Sequence, residues 1–140
     1  MRPLVFAHRG FSSNAPENTM AAFRLGWESG ADGVECDVHL TADGEIACIH
    51  DYDTGRFSDR KLIVAESNWR ELASLDVGGW KASKWSGEPI PTLRALLAAI
   101  PENTVLVIEL KCGPEVVAPL VEVIDESRRD QDSLVVISFI

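Results

Sequence analysis

Short apolar runs alternate along the chain with segments of helical period. Leu4-Val5-Phe6-Ala7-His8 reads as a buried strand. A Gly/Ser/Asn loop follows, and Thr19 is placed to cap a helix that runs through Ser29 and is stopped by Gly30. Gly33 to Val38 reads as a second strand, and Asp43-Gly44 as a tight turn that returns Ile46 to His50 beside it. Between Asp51 and Pro89 the pattern weakens into turn residues, three tryptophans (Trp69, Trp80, Trp85) and one short helix near Asn68 to Leu75, where Asn68 and Glu71 are spaced as a capping box. Residues 51–89 are therefore expected to form an inserted excursion, with its tryptophans mainly in local packing and Trp27 in the main core.

Regular pattern resumes at Thr92, which can cap a helix to about Ile100. Thr104 to Lys111 is β-branched and apolar until Glu109, the mark of a strand covered on both faces. Helical pattern runs from Gly113 to Arg129, but Pro119 has no N–H to donate, so the helix either kinks there or begins near it. Ser133 to Ile140 predicts a further buried strand. Strands joined by helices in this order predict an α/β fold with a parallel sheet. The last strand carries no polar tail, so 140 residues are expected to be part of a larger fold, or to self-associate.

Charge narrows the function. Thirteen Lys+Arg against 22 Asp+Glu leave a net charge of −9, which argues against nucleic acid and against anionic membranes as partners. No run approaches the roughly 20 apolar residues of a membrane span, and the start turns polar too early for a secretory leader. Cys36, Cys48 and Cys112 lack CxxC spacing and read as buried thiols in a reducing, cytoplasmic setting.

Polar residues closing apolar strands require a reason. Glu35 and Asp37 stand two apart, as do Glu109 and Lys111, so each pair shares a strand face. His39 is expected to leave that face and to have a structural part. Two buried carboxylates need a positive neighbour, and three oxygen ligands (Glu35, Asp37, Glu109) suit a hard cation, Ca²⁺ or Mg²⁺, better than zinc. The sum −3 + 2 = −1 becomes positive once Arg9 and Lys111 are added, which makes room for an anionic substrate. His8 and His50, at separate strand ends, have the unperturbed pKa suited to taking a proton from a nucleophile and giving one to a leaving alcohol. Singly, each feature has a structural reading: a hydrogen-bonded histidine, a solvated acid pair, a Glu109–Lys111 salt bridge. Jointly, four strand ends bearing such residues point to a phosphodiester-cleaving site.

His8-Arg9-Gly10, Pro16-Glu17-Asn18-Thr19, Gly33-Val34-Glu35-Cys36-Asp37-Val38, Thr41-Ala42-Asp43-Gly44, His50-Asp51, Ile90-Pro91-Thr92-Leu93, Ile108-Glu109-Leu110-Lys111 and Ile137-Ser138-Phe139 together resemble the ordered signature of the glycerophosphodiester phosphodiesterase family. After His50-Asp51 the likeness is interrupted, because Tyr52-Asp53-Thr54-Gly55-Arg56-Phe57 stands in place of a Leu-x-Arg-Thr-Thr-like stretch. The resemblance implies a TIM-barrel (β/α)8 fold of the phospholipase C-like kind, of which residues 1–140 would be roughly the N-terminal half, with 51–89 beside the active-site mouth. It implies His8 and His50 as the acid/base pair, Glu35, Asp37 and Glu109 as ligands of Ca²⁺ or Mg²⁺, and Arg9 and Lys111 as phosphate contacts. The implied products are glycerol 3-phosphate and an alcohol, formed by attack of a glycerol hydroxyl through a cyclic phosphate. The alternatives are a non-catalytic half-barrel that binds a phosphodiester or a protein, and a phospholipase acting on larger lipid diesters. Retained histidines count against the first, and the acidic balance against the second.

Overall fold

The computed structural model describes residues 2–139. In chain order come β1 (Phe6–Ala7), α1 (Met20–Glu28), β2 (Gly33–Leu40), β3 (Ile46–Cys48), α2 (Trp69–Leu72), α3 (Leu93–Ala99), β4 (Val105–Leu110), α4 (Val117–Ser127) and β5 (Leu134–Ser138). The sheet order is β1-β2-β4-β5, every neighbour parallel, with β3 antiparallel to β2. Each parallel crossover carries a helix, as in a (β/α)8 barrel, and here four of its strands are in place.

Local chemistry explains the helix ends. Thr19 Oγ1 accepts from the Ala22 N–H at 3.3 Å, and Thr92 Oγ1 from the Ala95 N–H at 3.0 Å, each relieving a donor that the first turn leaves over. Gly30, at φ +87, takes the left-handed turn that ends α1. Glu71 accepts from the Asn68 N–H at 3.0 Å at the start of α2. Of the two options for Pro119, the helix begins near it: Pro119 lies in the first turn of α4, where an N–H would have no helical partner.

Strand alternation divides the buried side chains into two sets. Val34, Cys36, Val38, Leu106 and Ile108 pack outward against Phe23 of α1, Leu93, Leu96 and Leu97 of α3, and Leu120 and Val123 of α4. The intervening positions of β2, Glu35, Asp37 and His39, point to the other face. Parallel pairing sets Asp37 opposite Glu109 and Glu35 opposite Val107, so the register alone makes neighbours of acids from distant segments. A second apolar cluster joins Ala47 and Ile49 to Phe57, Val64, Leu72, Leu75, Val77 and Ile90, giving residues 51–89 a core of their own beside β3.

Four expectations need correction. Leu4 to His8 is strand only over Phe6–Ala7, and it is not buried: Leu4 and Val5 are more than half exposed because β1 is an edge. β5 is likewise an exposed edge, with Val135, Val136 and Phe139 open to solvent. β3 ends at Cys48, so His50 stands in the turn beyond it; and Cys112, expected buried, is half-buried. Trp27 packs against the main core and Trp69 against the second cluster, while Trp80 is 43% exposed. Among the described residues the three cysteines are free, and no helix is long and apolar enough to cross a membrane.

Candidate active site

Oxygens of Glu35, Asp37 and Glu109 lie within 4.8 Å of one another, where the third and fifth residues of β2 stand beside the next-to-last residue of β4. Three carboxylates at this spacing repel, and the repulsion is only partly relieved by protein groups. Glu35 Oε1 and Asp37 Oδ1 are buried and have no hydrogen-bond partner. A buried carboxylate oxygen without a partner carries a desolvation cost, so two in one cluster mark where a hard cation fits. Burial, followed by the charges of Asp37 and Glu109, pushes the Glu35 carboxyl up to about 7, against a hydrogen bond from the Arg9 N–H.

Other bonds hold the acids in place. The Arg9 N–H donates to Glu35 Oε2 at 2.8 Å, possible because Arg9 takes a left-handed conformation, φ +56, that turns its amide toward β2. Asn18, also left-handed at φ +55, donates Nδ2–H to Asp37 Oδ2 at 2.9 Å and accepts the Asp37 N–H at 3.1 Å. Asn18 is 3% exposed, and this pair of bonds makes it the side chain that fixes Asp37.

Arg9 and Lys111 meet carboxylates here. Arg9 Nε stands 3.1 Å from Asp37 Oδ2 as an ion pair outside hydrogen-bond alignment. Lys111 Nζ is 2.6 Å from Glu109 Oε1 and 3.6 Å from Asp37 Oδ1, and its hydrogen bond with Glu109 raises its pKa and keeps it charged. Both cations thus offset part of the charge of the acid cluster.

The histidines come from different elements. His8 stands in the turn after β1, 68% exposed at its side chain, with Nε2 3.8 Å from Glu35 Oε2. His50 is tied through Nδ1 to Asp51 Oδ1 at 2.8 Å. Arg56 grips Asp51 in turn, which holds the Asp51 carboxyl far below the usual carboxylate range. His39, expected on the opposite face, shares the face of Glu35 and Asp37, because β2 runs unbroken to Leu40 and alternation carries 35, 37 and 39 to one side. Its part is still structural: Nε2 bonds the His50 carbonyl at 3.1 Å, and burial lowers its pKa, favouring the neutral ring. Glu17, Asn18, Asp51 and Arg56 were not assigned from sequence. Glu17, Asn18 and Asp51 stood only as motif letters, and no local spacing marks the distant pairs Asn18–Asp37 and Glu17–Arg56.

This geometry has relatives. Residues 8–138 match the glycerophosphoryl diester phosphodiesterase family. A glycerophosphodiester phosphodiesterase of Caldanaerobacter subterraneus subsp. tengcongensis is 45% identical over 114 residues, which cover 81% of this chain and 47% of that protein. A phosphodiesterase of Oleispira antarctica, solved in complex with the product sn-glycerol-3-phosphate, superposes with a TM-score of 0.91 at 37% identity, over 99% of this chain and 58% of that one. A glycerophosphodiester phosphodiesterase of Agrobacterium tumefaciens gives 0.87 at 34% identity, over 99% and 59%. Four parallel strands with their helices, and an acid cluster on their inner face, define part of a TIM barrel. The chain belongs to the glycerophosphoryl diester phosphodiesterase family, and it spans about half the length of the curated relatives it matches.

Proposed function

We propose that this chain carries the cation-binding and proton-transfer part of an enzyme that hydrolyses glycerophosphodiesters to glycerol 3-phosphate and an alcohol. The observation that carries this reading is the triad Glu35, Asp37 and Glu109, with two buried carboxylate oxygens left without partners. Those three acids would hold Ca²⁺ or Mg²⁺, whose positive charge would stabilise the charge that develops on the phosphate oxygens.

The chain's own groups account for the rest. Arg9 and Lys111 present positive charge at the rim and orient the diester. One of His8 and His50 takes the proton from the attacking glycerol hydroxyl as its oxygen bonds to phosphorus. The other gives a proton to the departing alcohol oxygen as its bond to phosphorus breaks, and a cyclic phosphate results. Water then opens the ring with the two imidazoles in exchanged roles, leaving glycerol 3-phosphate. With Nδ1–H held by Asp51, His50 offers Nε2 for this exchange.

The test is release of glycerol 3-phosphate from glycerophosphocholine with Ca²⁺ or Mg²⁺, beside chelator and His8→Ala controls. Release that depends on the cation and on His8 supports the reading. Release that survives both controls refutes it.

A further inference from the structure

One guanidinium joins the two halves of this site. Arg56 Nε donates to Asp51 Oδ2 at 2.8 Å and Arg56 Nη2 to Asp51 Oδ1 at 2.9 Å. The same side chain donates from Nη1 to Glu17 Oε2 at 3.0 Å and from Nη2 to Glu17 Oε1 at 2.9 Å. Both oxygens of both carboxylates are thereby held. Beyond Asp51 lies His50 Nδ1 at 2.8 Å, and beyond Glu17 lies Arg9 Nη1 at 2.9 Å. The resulting path, Arg9–Glu17–Arg56–Asp51–His50, connects the turn after β1 to the turn after β3 without a gap. The Arg56 guanidinium also lies over the Phe57 ring, 4.1 Å from its centroid, a cation–π contact.

Such a chain has a chemical consequence. An imidazole that donates Nδ1–H to a carboxylate is held as one tautomer, with Nε2 free to exchange a proton; a carboxylate gripped on both oxygens cannot rotate and release it. Glu17 does the same for the Arg9 guanidinium. The loop after β1 is docked on the 51–89 segment without Arg56, since Lys81 Nζ donates to the Ser12 carbonyl at 2.8 Å and Trp85 Nε1 to the Asn14 carbonyl at 3.2 Å. Arg56 adds orientation to docking that already exists.

We propose that Arg56 is a positioning residue for both groups at once: through Asp51 it fixes the tautomer and direction of His50, and through Glu17 it fixes the phosphate-facing Arg9. This rests on the function given above only in the roles of His50 and Arg9. Its place is inside Tyr52-Asp53-Thr54-Gly55-Arg56-Phe57, the stretch where the family likeness is interrupted.

Four substitutions test the two arms. Long-range proton–nitrogen spectra of the ¹⁵N-labelled protein read the His50 tautomer without turnover, and titration with inorganic phosphate reads the Arg9 arm. Arg56→Gln is expected to change both, mixing the tautomers and weakening phosphate binding several-fold; Asp51→Asn changes only the first, Glu17→Gln only the second. With glycerophosphocholine, Arg56→Gln lowers kcat about tenfold or more and raises KM. Arg56→Lys, able to serve one carboxylate but not grip two, restores at most one arm. Unchanged tautomer and phosphate affinity in Arg56→Gln overturn the proposal, as does full restoration of both arms by Arg56→Lys. Should Arg56→Gln fail to fold, Arg56→Lys decides alone, and wild-type values in both spectra and titration refute it. If the wild-type protein releases no glycerol 3-phosphate but the two arms separate as stated, the hydrolytic reading fails and the positioning role stands.

Discussion

Glu35→Gln removes one charge from the triad while keeping an oxygen for the Arg9 N–H, so its effect on stability has a defined sign. Burial and the charges of Asp37 and Glu109 raise the Glu35 carboxyl from 4.5 to about 7. A carboxyl whose folded pKa is raised favours folding in its protonated form: that contribution is complete below about pH 4.5 and is lost as pH climbs through about 7. At 1.36 kcal/mol per pH unit the ceiling is about 3 kcal/mol. Solvent at the site mouth and relaxation of Arg9 and Lys111 bring the expected loss to about 2 kcal/mol. Without divalent cations, the wild-type protein should therefore lose about 2 kcal/mol between about pH 5 and pH 8 relative to Glu35→Gln. Millimolar Ca²⁺ or Mg²⁺ should reverse that order at the higher pH, because binding to the folded state stabilises it and the substituted triad binds more weakly. Thermal melts of both proteins across this pH range, with chelator and with either cation, give the measurement. Parallel pH profiles in chelator, or equal cation stabilisation of the two proteins, would refute the reasoning.

Further predictions follow from the packing around the triad. Asn18→Ala strips two bonds from buried Asp37 and places a Cβ-only side chain at φ +55, so urea denaturation should register a loss of about 2–4 kcal/mol; a loss below about 1 would mean that Asp37 is held by other groups. Gly10 has φ +73, and a Cβ there would stand 2.4 Å from the Ala22 backbone carbon, so Gly10→Ala should shift α1 away from the first turn and lower the melting midpoint by several degrees.

Much of the architecture was legible because it is written at short range. Thr19 and Thr92 announce helix starts through hydroxyls that act within three residues, and Asp43-Gly44 announces the return into β3 through a left-handed glycine at φ +87. Pleating alone puts Glu35 and Asp37 on one face, and the same rule should have kept His39 with them. The segment 51–89 was harder, since its apolar residues sit on single turns with no period of 2 or 3.6, and its core becomes visible only once Phe57, Leu72 and Ile90 meet.

Local periodicity therefore determined the strands, the helices and the shared face of Glu35 and Asp37, while the structure moved His8 and His50 from strand ends into the turns beyond them. Register decided the rest: Asp37 stands beside Glu109 because β2 and β4 align in parallel, and no property of either segment alone states that offset. The tertiary structure also brought Asn18 onto Asp37 and Arg56 onto Glu17, across 19 and 39 residues of chain. Side-chain period is a property of one backbone segment, whereas pairing between charges depends on which segments the sheet makes neighbours, so the first can be read along the chain and the second only across it.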